Sequence, residues 1–147
     1  MRQMTWGPGW ALVAALALAL VAAGCGVDDE DPEAVARALA EANYRCDEDA
    51  VEQLDELTLP SKRKPIEPRA DNCDAGRRGP YSGGQLEGFD RNAGQPPDQL
   101  PELALSTEMR GDFAVVHAAE LNDNDEEDIT LVRTDDGWRW DPEGDPS

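Results

Sequence analysis

The sequence predicts a single α+β domain in which N-terminal helices pack against an antiparallel sheet, preceded by a cleaved signal peptide. Three observations support this prediction. Residues 31–57 carry two helix-start signals, each followed by apolar residues at helical spacing. Residues 103–140 alternate apolar and polar side chains between turn-forming residues, which is the pattern of antiparallel hairpins. Helices followed by hairpin-connected strands are typical of an α+β domain, and the segment before them has the composition of an export signal.

The first 24 residues are organised like a secretory signal peptide. Their start carries a single cation, Arg2, and residues 10–23 have no charged side chain. Small residues follow, as they do before a cleavage site. The apolar stretch is shorter than the roughly 20 residues that a transmembrane helix needs. We therefore expect residues 1–24 to be removed on export.

Cys25 directly follows the small residues Ala22, Ala23 and Gly24. This arrangement resembles the lipobox of bacterial lipoproteins. The resemblance implies that the chain is cut before Cys25 and that a diacylglyceryl group is attached to the cysteine sulfur. Such an anchor holds a protein on the extracytoplasmic face of the cell membrane, since two acyl chains give stable attachment. The alternative is an ordinary signal peptide, or an uncleaved anchor, in which Cys25 is incidental.

The chain is strongly acidic, with 13 cations, 32 acidic residues and a formal charge of −19. Removal of residues 1–24 takes away one cation, Arg2, and no acid, so the charge of the mature part becomes −20. Nucleic-acid binding needs lysine and arginine to neutralise phosphates, so a partner of that kind is excluded. The same charge argues against adhesion to anionic lipid by charge alone, and it keeps an exported domain soluble.

Two cysteines remain beyond Cys25, Cys46 and Cys73. An exported domain lies in an oxidising compartment, where such a pair usually forms a disulfide. A bridge between them would close a loop of about 28 residues and stabilise the fold by roughly 3–4 kcal/mol. A two-ligand metal site or free thiols are the alternatives, although two cysteines without a nearby histidine make a poor zinc site. We expect no metal and no cofactor.

Residues 25–30 are predicted to be a short acidic tether before a single domain over residues 31–147. Five or six extended residues reach about 20 Å at most, so the domain must lie close to its membrane. A first helix is predicted to begin at the cap Asp31, with Pro32 in its first position, and to end near Tyr44. Its apolar stripe consists of Val35, Ala38, Leu39 and Ala42.

A second, shorter helix is predicted after the cap signal of residues 47–49. Pro60 ends it, because proline cannot continue a helix. Cys46 is then expected in the corner between the two helices. The inward side chains of the second helix are Ala50, Val51, Leu54 and Leu57.

Residues 60–101 are rich in proline and glycine and are predicted to be mainly loop. Within them, residues 85–89 are a candidate short strand and residues 93–101 a connector. Segment 62–78 has six cations against three acids. It could dock an acidic partner or a phosphate-bearing cell-surface polymer. The alternative is a solvated loop whose positive charge is neutralised by acidic residues of the same protein.

Antiparallel strands are predicted in the last third of the chain, joined by turns with Asp-Gly signals. The loop at 122–128 carries oxygen-bearing side chains at a spacing that is plausible for calcium binding. It lacks the glycine of a tight calcium loop and a glutamate at the twelfth position, so we interpret it as a solvated hairpin loop. The predicted strands are 103–109, 113–121, 129–133 and 138–140.

Several segments look like small bacterial lipoproteins of the nuclear-transport-factor-two-like superfamily, which has a cystatin-like fold of the ketosteroid-isomerase type. They are the start of the first helix (31–39), segment 111–117 and the closing segment 131–140, which ends in Gly-Trp-Arg-Trp. The resemblance covers about residues 31–141. It implies a curved, cone-like sheet wrapped around helices to leave a pocket. Because the superfamily includes enzymes and binding modules, the fold alone does not decide the function.

Four residues are candidates for lining such a pocket: Phe113, His117, Trp138 and Trp140. The two tryptophans share one face of the last strand, where they could contact an apolar ligand or, alternatively, pack in the core. His117 is the single histidine and shares its strand face with Phe113. It is the candidate for a catalytic base, with a core or surface histidine as the alternative. There is no Gly-x-Ser-x-Gly elbow, and we assign no catalytic residue.

The sequence therefore predicts a lipid-anchored extracytoplasmic protein of the cell envelope with a non-catalytic domain. Its partner, beyond the membrane that holds the diacylglyceryl anchor, would be a small ligand or an envelope protein. Two other classes stay open. One is an enzyme of the isomerase or hydrolase type that uses His117 in the cone, and the other is a structural envelope component. An enzyme would need an enclosed apolar pocket containing His117 or an acid with a shifted pKa.

Overall fold

The computed structural model describes residues 26–66, 69, 71, 73, 79–81 and 84–147. The signal peptide predicted for residues 1–24 and the lipidation predicted for Cys25 lie outside the described residues. Along the chain come the helices α1 (Pro32–Arg45) and α2 (Glu48–Glu56), followed by the strands β1 (Leu103–Arg110), β2 (Phe113–Glu120), β3 (Glu126–Thr134) and β4 (Gly137–Trp140). Short 3-10 helices occupy Pro60–Lys62, Glu87–Asn92 and Pro97–Gln99.

The four strands form one antiparallel sheet in the order β1–β2–β3–β4. Arg110 pairs with Phe113 and Thr134 with Gly137, so two tight turns join β1 to β2 and β3 to β4. The prediction of an α+β domain with helices followed by an antiparallel meander is confirmed.

Both helices begin where their capping residues predict. The carboxylate of Asp31 accepts a hydrogen bond from the N–H of Glu33 at 2.9 Å, and that of Asp47 accepts one from Ala50 at 2.7 Å. Each bond satisfies an N–H group that has no partner inside the helix. The first helix ends at Cys46, which has a φ of 57° and therefore turns the chain out of the helix.

Two of the predicted segments are wrong. Residues 85–89 do not form a strand, because the 3-10 helix Glu87–Asn92 takes their place. Leu86 and Phe89 are both fully buried, and a spacing of three suits a 3-10 turn rather than a strand. The polar loop is also shorter than predicted, since β3 begins at Glu126 and residues 126–128 pair with residues 117–119.

One face of the sheet packs against the helices. On β2 this face consists of Ala114, Val116 and Ala118, which belong to the buried core. Successive strand residues alternate between faces, so Phe113 and His117 lie on the opposite face of the sheet. The largest fully buried side chains are Trp140, Tyr44, Phe89, Leu39, Leu54 and Leu86.

The outer edge of β4 is covered by two other parts of the chain. The N–H of Trp140 donates to the carbonyl of Leu57 at 2.7 Å, and its carbonyl accepts from the N–H of Leu59 at 2.9 Å. Nearer the start of β4, the N–H of Trp138 donates to the carbonyl of Asp29 at 2.7 Å. These bonds occupy an edge that would otherwise be open to pairing with another chain. They also place the N-terminal segment and the end of α2 along the same side of the domain.

Candidate functional site

Cys46 and Cys73 are joined by a disulfide, as the sequence predicts, with Cα atoms 5.8 Å apart. A largely buried ion pair lies beside it, in which the Arg69 guanidinium is 2.6 Å from the carboxylate of Asp55 on α2. The same guanidinium lies 4.9 Å from the centre of the Tyr81 ring. The disulfide and the ion pair together hold this part of the 60–101 segment against the two helices.

Residues 26–30, predicted to be a tether, lie against the folded domain. The carboxylate of Asp29 accepts from the guanidinium of Arg139 at 3.3 Å, and that of Glu30 pairs with Arg133. Val27 packs against the core. Gly26, the described residue next to Cys25, lies in a groove lined mainly by α2. We call residues 26–30 the N-terminal strap, because hydrogen bonds and ion pairs fasten them to the sheet.

Trp138 and Trp140 lie on the face that packs against the helices, where they are 4% and 1% exposed. The indole N–H of Trp140 donates to Oε1 of Gln85 at 3.0 Å. Its ring meets the Tyr81 ring edge to face, with centroids 4.7 Å apart. The guanidinium of Arg133 lies 5.3 Å from the centre of the Trp138 ring. Both tryptophans are therefore core residues that fill the space between sheet and helices.

His117 and Phe113 lie on the other face, so the structure does not bring the four candidate pocket residues together. The His117 side chain is 47% exposed, and its Nδ1 atom is 2.8 Å from Oδ1 of Asp128. Its Nε2 atom is 3.7 Å from a carboxylate oxygen of Glu126. A carboxylate on one ring nitrogen orients the imidazole. His117 is thus an oriented surface histidine, outside any apolar enclosure formed by the tryptophans.

A shallow groove of about 560 Å³ passes His117 on this face. Its walls are residues 84–85, the carboxylates of residues 126–128, and residues 142–144 with Pro146 of the C-terminal segment. Burial raises the pKa of the Glu127 carboxyl. The hydrogen bond that this carboxyl accepts from the N–H of Gly88 acts to lower the same pKa. Among the described residues, no hydroxyl, thiol or amine side chain lines this groove. It therefore suits hydrogen-bonding or cationic groups, and it offers no such side chain as an activated nucleophile.

A carboxylate cluster at the end of β2 combines Glu120, which the sequence analysis did not single out, with two residues of the loop that it weighed for calcium. Glu120, Asp123 and Asp125 each contribute an oxygen within 4.8 Å of the others. Glu120 is buried and accepts from the hydroxyl of Tyr44 at 2.6 Å. Such oxygens are calcium ligands, but the Arg91 guanidinium already lies 3.2 Å from Asp123 and 3.6 Å from Asp125. An ion would compete with Arg91 for the same charge, so the cluster does not by itself define a metal site.

The cations of residues 62–64 form a second groove, of about 430 Å³, with Tyr81, Pro142 and Glu143. Lys62 pairs with Glu143, and Lys64 lies 5.5 Å from the centre of the Tyr81 ring. Arg63 donates to two backbone carbonyls at 3.3 Å. Arg63 and Lys64 are exposed. An acid of the protein thus neutralises one of these cations. The other two, Arg63 and Lys64, remain at the surface with neutral partners.

No protein-family model matches the chain, and comparisons with curated proteins and with solved structures found no significant match. Within the described part of the chain, no helix has the length and apolar character needed to cross a bilayer. The family resemblance of the sequence therefore stays a prediction.

Proposed function

We propose that the chain is a secreted bacterial lipoprotein whose mature part begins at Cys25. A diacylglyceryl group on that cysteine would hold the domain on the extracytoplasmic face of the cell membrane. The observation that carries the proposal is the position of Cys25, immediately after the small residues that end the apolar segment. Two acyl chains are enough for stable attachment.

Two features of the folded domain support this proposal. The first described residues after the candidate lipid site are already part of the fold, because Val27 packs against the core and Asp29 is hydrogen bonded to β4. The Cys46–Cys73 disulfide is the form expected of a cysteine pair in an oxidising compartment. Both features fit a chain that is exported, cut before Cys25 and folded outside the cell.

Intact-mass analysis of the native membrane fraction tests the proposal. We expect a chain of residues 25–147 that carries the mass of a diacylglyceryl group. Cys25→Ser should remove that mass and leave the protein released or unprocessed. The matched control is the double variant Cys46→Ser, Cys73→Ser, which should still carry the lipid. A wild-type chain with an unmodified Cys25 sulfur would contradict the proposal.

We propose further that the mature domain is a non-catalytic binding module that acts through its outer surface. The tryptophans that could have lined a cone-like pocket are buried, together with Tyr44 and Phe89, between the sheet and the helices. His117, the candidate catalytic base, lies beside an open groove rich in carboxylates. Enzyme pockets are usually concave and mostly apolar, so this groove favours binding of a polar ligand or an envelope protein over isomerase or hydrolase chemistry.

The superfamily resemblance implies a cone-like curved sheet. We include this curvature in the proposal, with the interior of the cone filled by side chains. A fluorescent apolar dye such as anilinonaphthalene sulfonate distinguishes a filled cone from an empty one. We expect no fluorescence enhancement with the native mature domain at neutral pH. Trp140→Ala, which opens a cavity beside Tyr81, is the positive control and should bind the dye. Strong dye binding by the wild-type protein would restore the pocket and with it the enzyme hypothesis.

A further inference from the structure

The N-terminal strap fixes where the candidate lipid anchor leaves the domain. Gly26 shares a groove with the α2 residues Glu52 and Glu56 and with Arg139 on β4. Consecutive Cα atoms are about 3.8 Å apart, so a lipid on Cys25 begins beside this groove. With the strap fastened by Asp29 and Glu30, the anchor cannot swing around the domain as it would on a free tether.

Two surfaces of opposite charge flank this attachment point. One is the exposed side of α2, which carries the carboxylates of Asp49, Glu52 and Glu56. The other is the basic segment 62–64, which is separated from the end of α2 by residues 57–61. The two surfaces meet at Glu56. This residue lines the groove that contains Gly26, and its backbone carbonyl accepts a hydrogen bond from Arg63 at 3.3 Å.

We infer that the basic segment 62–64 rests on the anionic headgroups of the bilayer that holds the lipid anchor. This inference rests on the proposed lipoprotein function and adds the orientation of the domain to it. Anionic lipid attracts lysine and arginine near its surface and repels the carboxylates of α2, so the domain tips toward the basic side. Phosphate-bearing headgroups are the ligand of this surface, and Arg63 and Lys64 are the cations exposed to them.

The net charge of the chain does not oppose this orientation. At physiological ionic strength, charges more than about 8 Å from the bilayer are screened, so only the charges at the contact decide. The lipid holds the domain at the membrane, and the basic segment determines only which side of the domain faces the bilayer. The carboxylate cluster of Glu120, Asp123 and Asp125 lies at the other end of β2. Ala114 is aligned with Trp140 of β4 through Leu131 of β3, and Glu120 lies six positions further along β2, a distance of about 20 Å.

The chain contains its own probes for this orientation. Its two lysines are Lys62 and Lys64, both in the basic segment. We would reconstitute the mature, lipidated protein in vesicles of phosphatidylcholine alone or of phosphatidylcholine with phosphatidylglycerol. Acylation of the lysines by a membrane-impermeant amine reagent would be followed by peptide mass spectrometry.

We expect lysine acylation to be about fivefold slower in the anionic vesicles, which corresponds to about 1 kcal/mol of attraction for a cation near an anionic surface. Arg63→Gln should reduce the protection of the lysines. The matched control, Arg91→Gln, removes an exposed cation paired with Asp123 and should leave the protection unchanged.

Equal lysine acylation in the two kinds of vesicle, with lipid present on Cys25, would overturn the orientation and leave the lipoprotein proposal standing. Equal loss of protection in Arg63→Gln and Arg91→Gln would also overturn it, since the basic segment would then not be the part that faces the bilayer. A Cys25 that carries no lipid would overturn both proposals, and intact mass measured on the same sample distinguishes this result from the others.

Discussion

The hydroxyl of Tyr44 donates a 2.6 Å hydrogen bond to the carboxylate of Glu120, joining the last turn of α1 to the end of β2. Both side chains are buried, and Asn92 donates to both oxygens of the same carboxylate at 3.0 Å. A buried carboxylate is tolerated only when its oxygens are hydrogen bonded. Burial and the bond to Glu120 raise the pKa of the Tyr44 phenol above its usual range, so Tyr44 keeps its proton and remains a donor.

Tyr44→Phe should lower the free energy of unfolding by about 1.5–3 kcal/mol, the range for hydrogen bonds to charged groups. The physical reason is that Glu120 stays buried while it loses its shortest hydrogen bond. Equilibrium unfolding in urea measures the change. Tryptophan fluorescence is a direct probe, because the tryptophans after residue 24 are Trp138 and Trp140, both in the core.

Thr107→Val is the matched control for this variant. The hydroxyl of Thr107 also donates to a carboxylate on α1, that of Glu33, at 3.1 Å, but the pair is only partly buried. A surface substitution of this kind changes stability by less than about 0.5 kcal/mol. If the two variants lost the same stability, burial of Glu120 could not be the reason for the effect of Tyr44→Phe.

Glu127→Gln should stabilise the protein at neutral pH. Burial raises the pKa of Glu127, and neighbouring carboxylates add to the shift. A carboxyl whose pKa is higher in the folded than in the unfolded state contributes stability while protonated, and this stability is lost as the pH rises through its folded pKa. The variant keeps a carbonyl oxygen for the N–H of Gly88 and removes the charge. Its melting temperature at pH 7 should therefore exceed that of the wild type.

The advantage of Glu127→Gln should vanish below the ordinary pKa of glutamate, about 4.3, where the wild-type side chain is neutral in both states. Melting curves recorded from pH 3 to pH 7 would show the two proteins converging at the acidic end. The exposed Glu102→Gln is the control and should show no comparable divergence at pH 7. An advantage for Glu127→Gln of the same size at every pH would rule out an electrostatic origin.

Local signals explain the parts of the fold that were predicted correctly. The helix starts follow from Asp31 and Asp47, because a capping carboxylate satisfies an N–H only two or three residues away. The disulfide followed from the number of cysteines and the predicted compartment. The tight turn before β4 followed from Gly137, which adopts a φ of 98°.

The parts that could not be predicted depend on contacts between distant segments. On β2, Phe113 and Val115 are as apolar as Ala114 and Val116, so alternation could not say which set faces the helices. Packing against α1 decided it, and this placed His117 on the outer face. Glu120 continues the alternation of the buried set, which was a signal for a buried acid. Its partner Tyr44 is 76 residues away in the sequence, so no local pattern around Glu120 could indicate the pairing.

Loss of the disulfide should destabilise the domain by about 3–4 kcal/mol, because a loop with a sequence separation of 27 residues is no longer closed in the unfolded chain. The double variant Cys46→Ala, Cys73→Ala tests this in a Cys25→Ser background, where no thiol remains. Urea unfolding of this protein should give a clearly lower midpoint than the Cys25→Ser parent. A midpoint unchanged from the parent would mean that the bridge does not constrain the unfolded chain.

Cys46 adds a backbone effect that can be measured separately. Its φ of 57° is a left-handed conformation, which costs an L-residue roughly 1–2 kcal/mol and costs glycine little. The variant Cys46→Gly, Cys73→Ala should therefore be more stable than Cys46→Ala, Cys73→Ala by about 1 kcal/mol. Equal stability of the two would show that the chain leaves this conformation once the bridge is gone.

Gly137→Ala should be more destabilising than Gly111→Ala, although both glycines have positive φ, of 98° and 69°. A Cβ at Gly111 meets nothing within 4 Å, so alanine there experiences only the backbone strain of about 1–2 kcal/mol. A Cβ at Gly137 would lie 2.5 Å from the carbonyl oxygen of Asp29. It must push the N-terminal strap away from β4 and lengthen the hydrogen bond from the N–H of Trp138.

This contact predicts a second difference that a merely strained turn would not produce. In Gly137→Ala the amide of Trp138 should exchange faster with deuterium, because its acceptor on Asp29 has moved, while in Gly111→Ala its exchange should match the wild type. Urea unfolding should show an additional loss of about 1 kcal/mol for Gly137→Ala, the typical contribution of one hydrogen bond. Equal exchange at Trp138 in the two variants would mean that the strap is not held by β4, and that a lipid on Cys25 is free to move relative to the sheet.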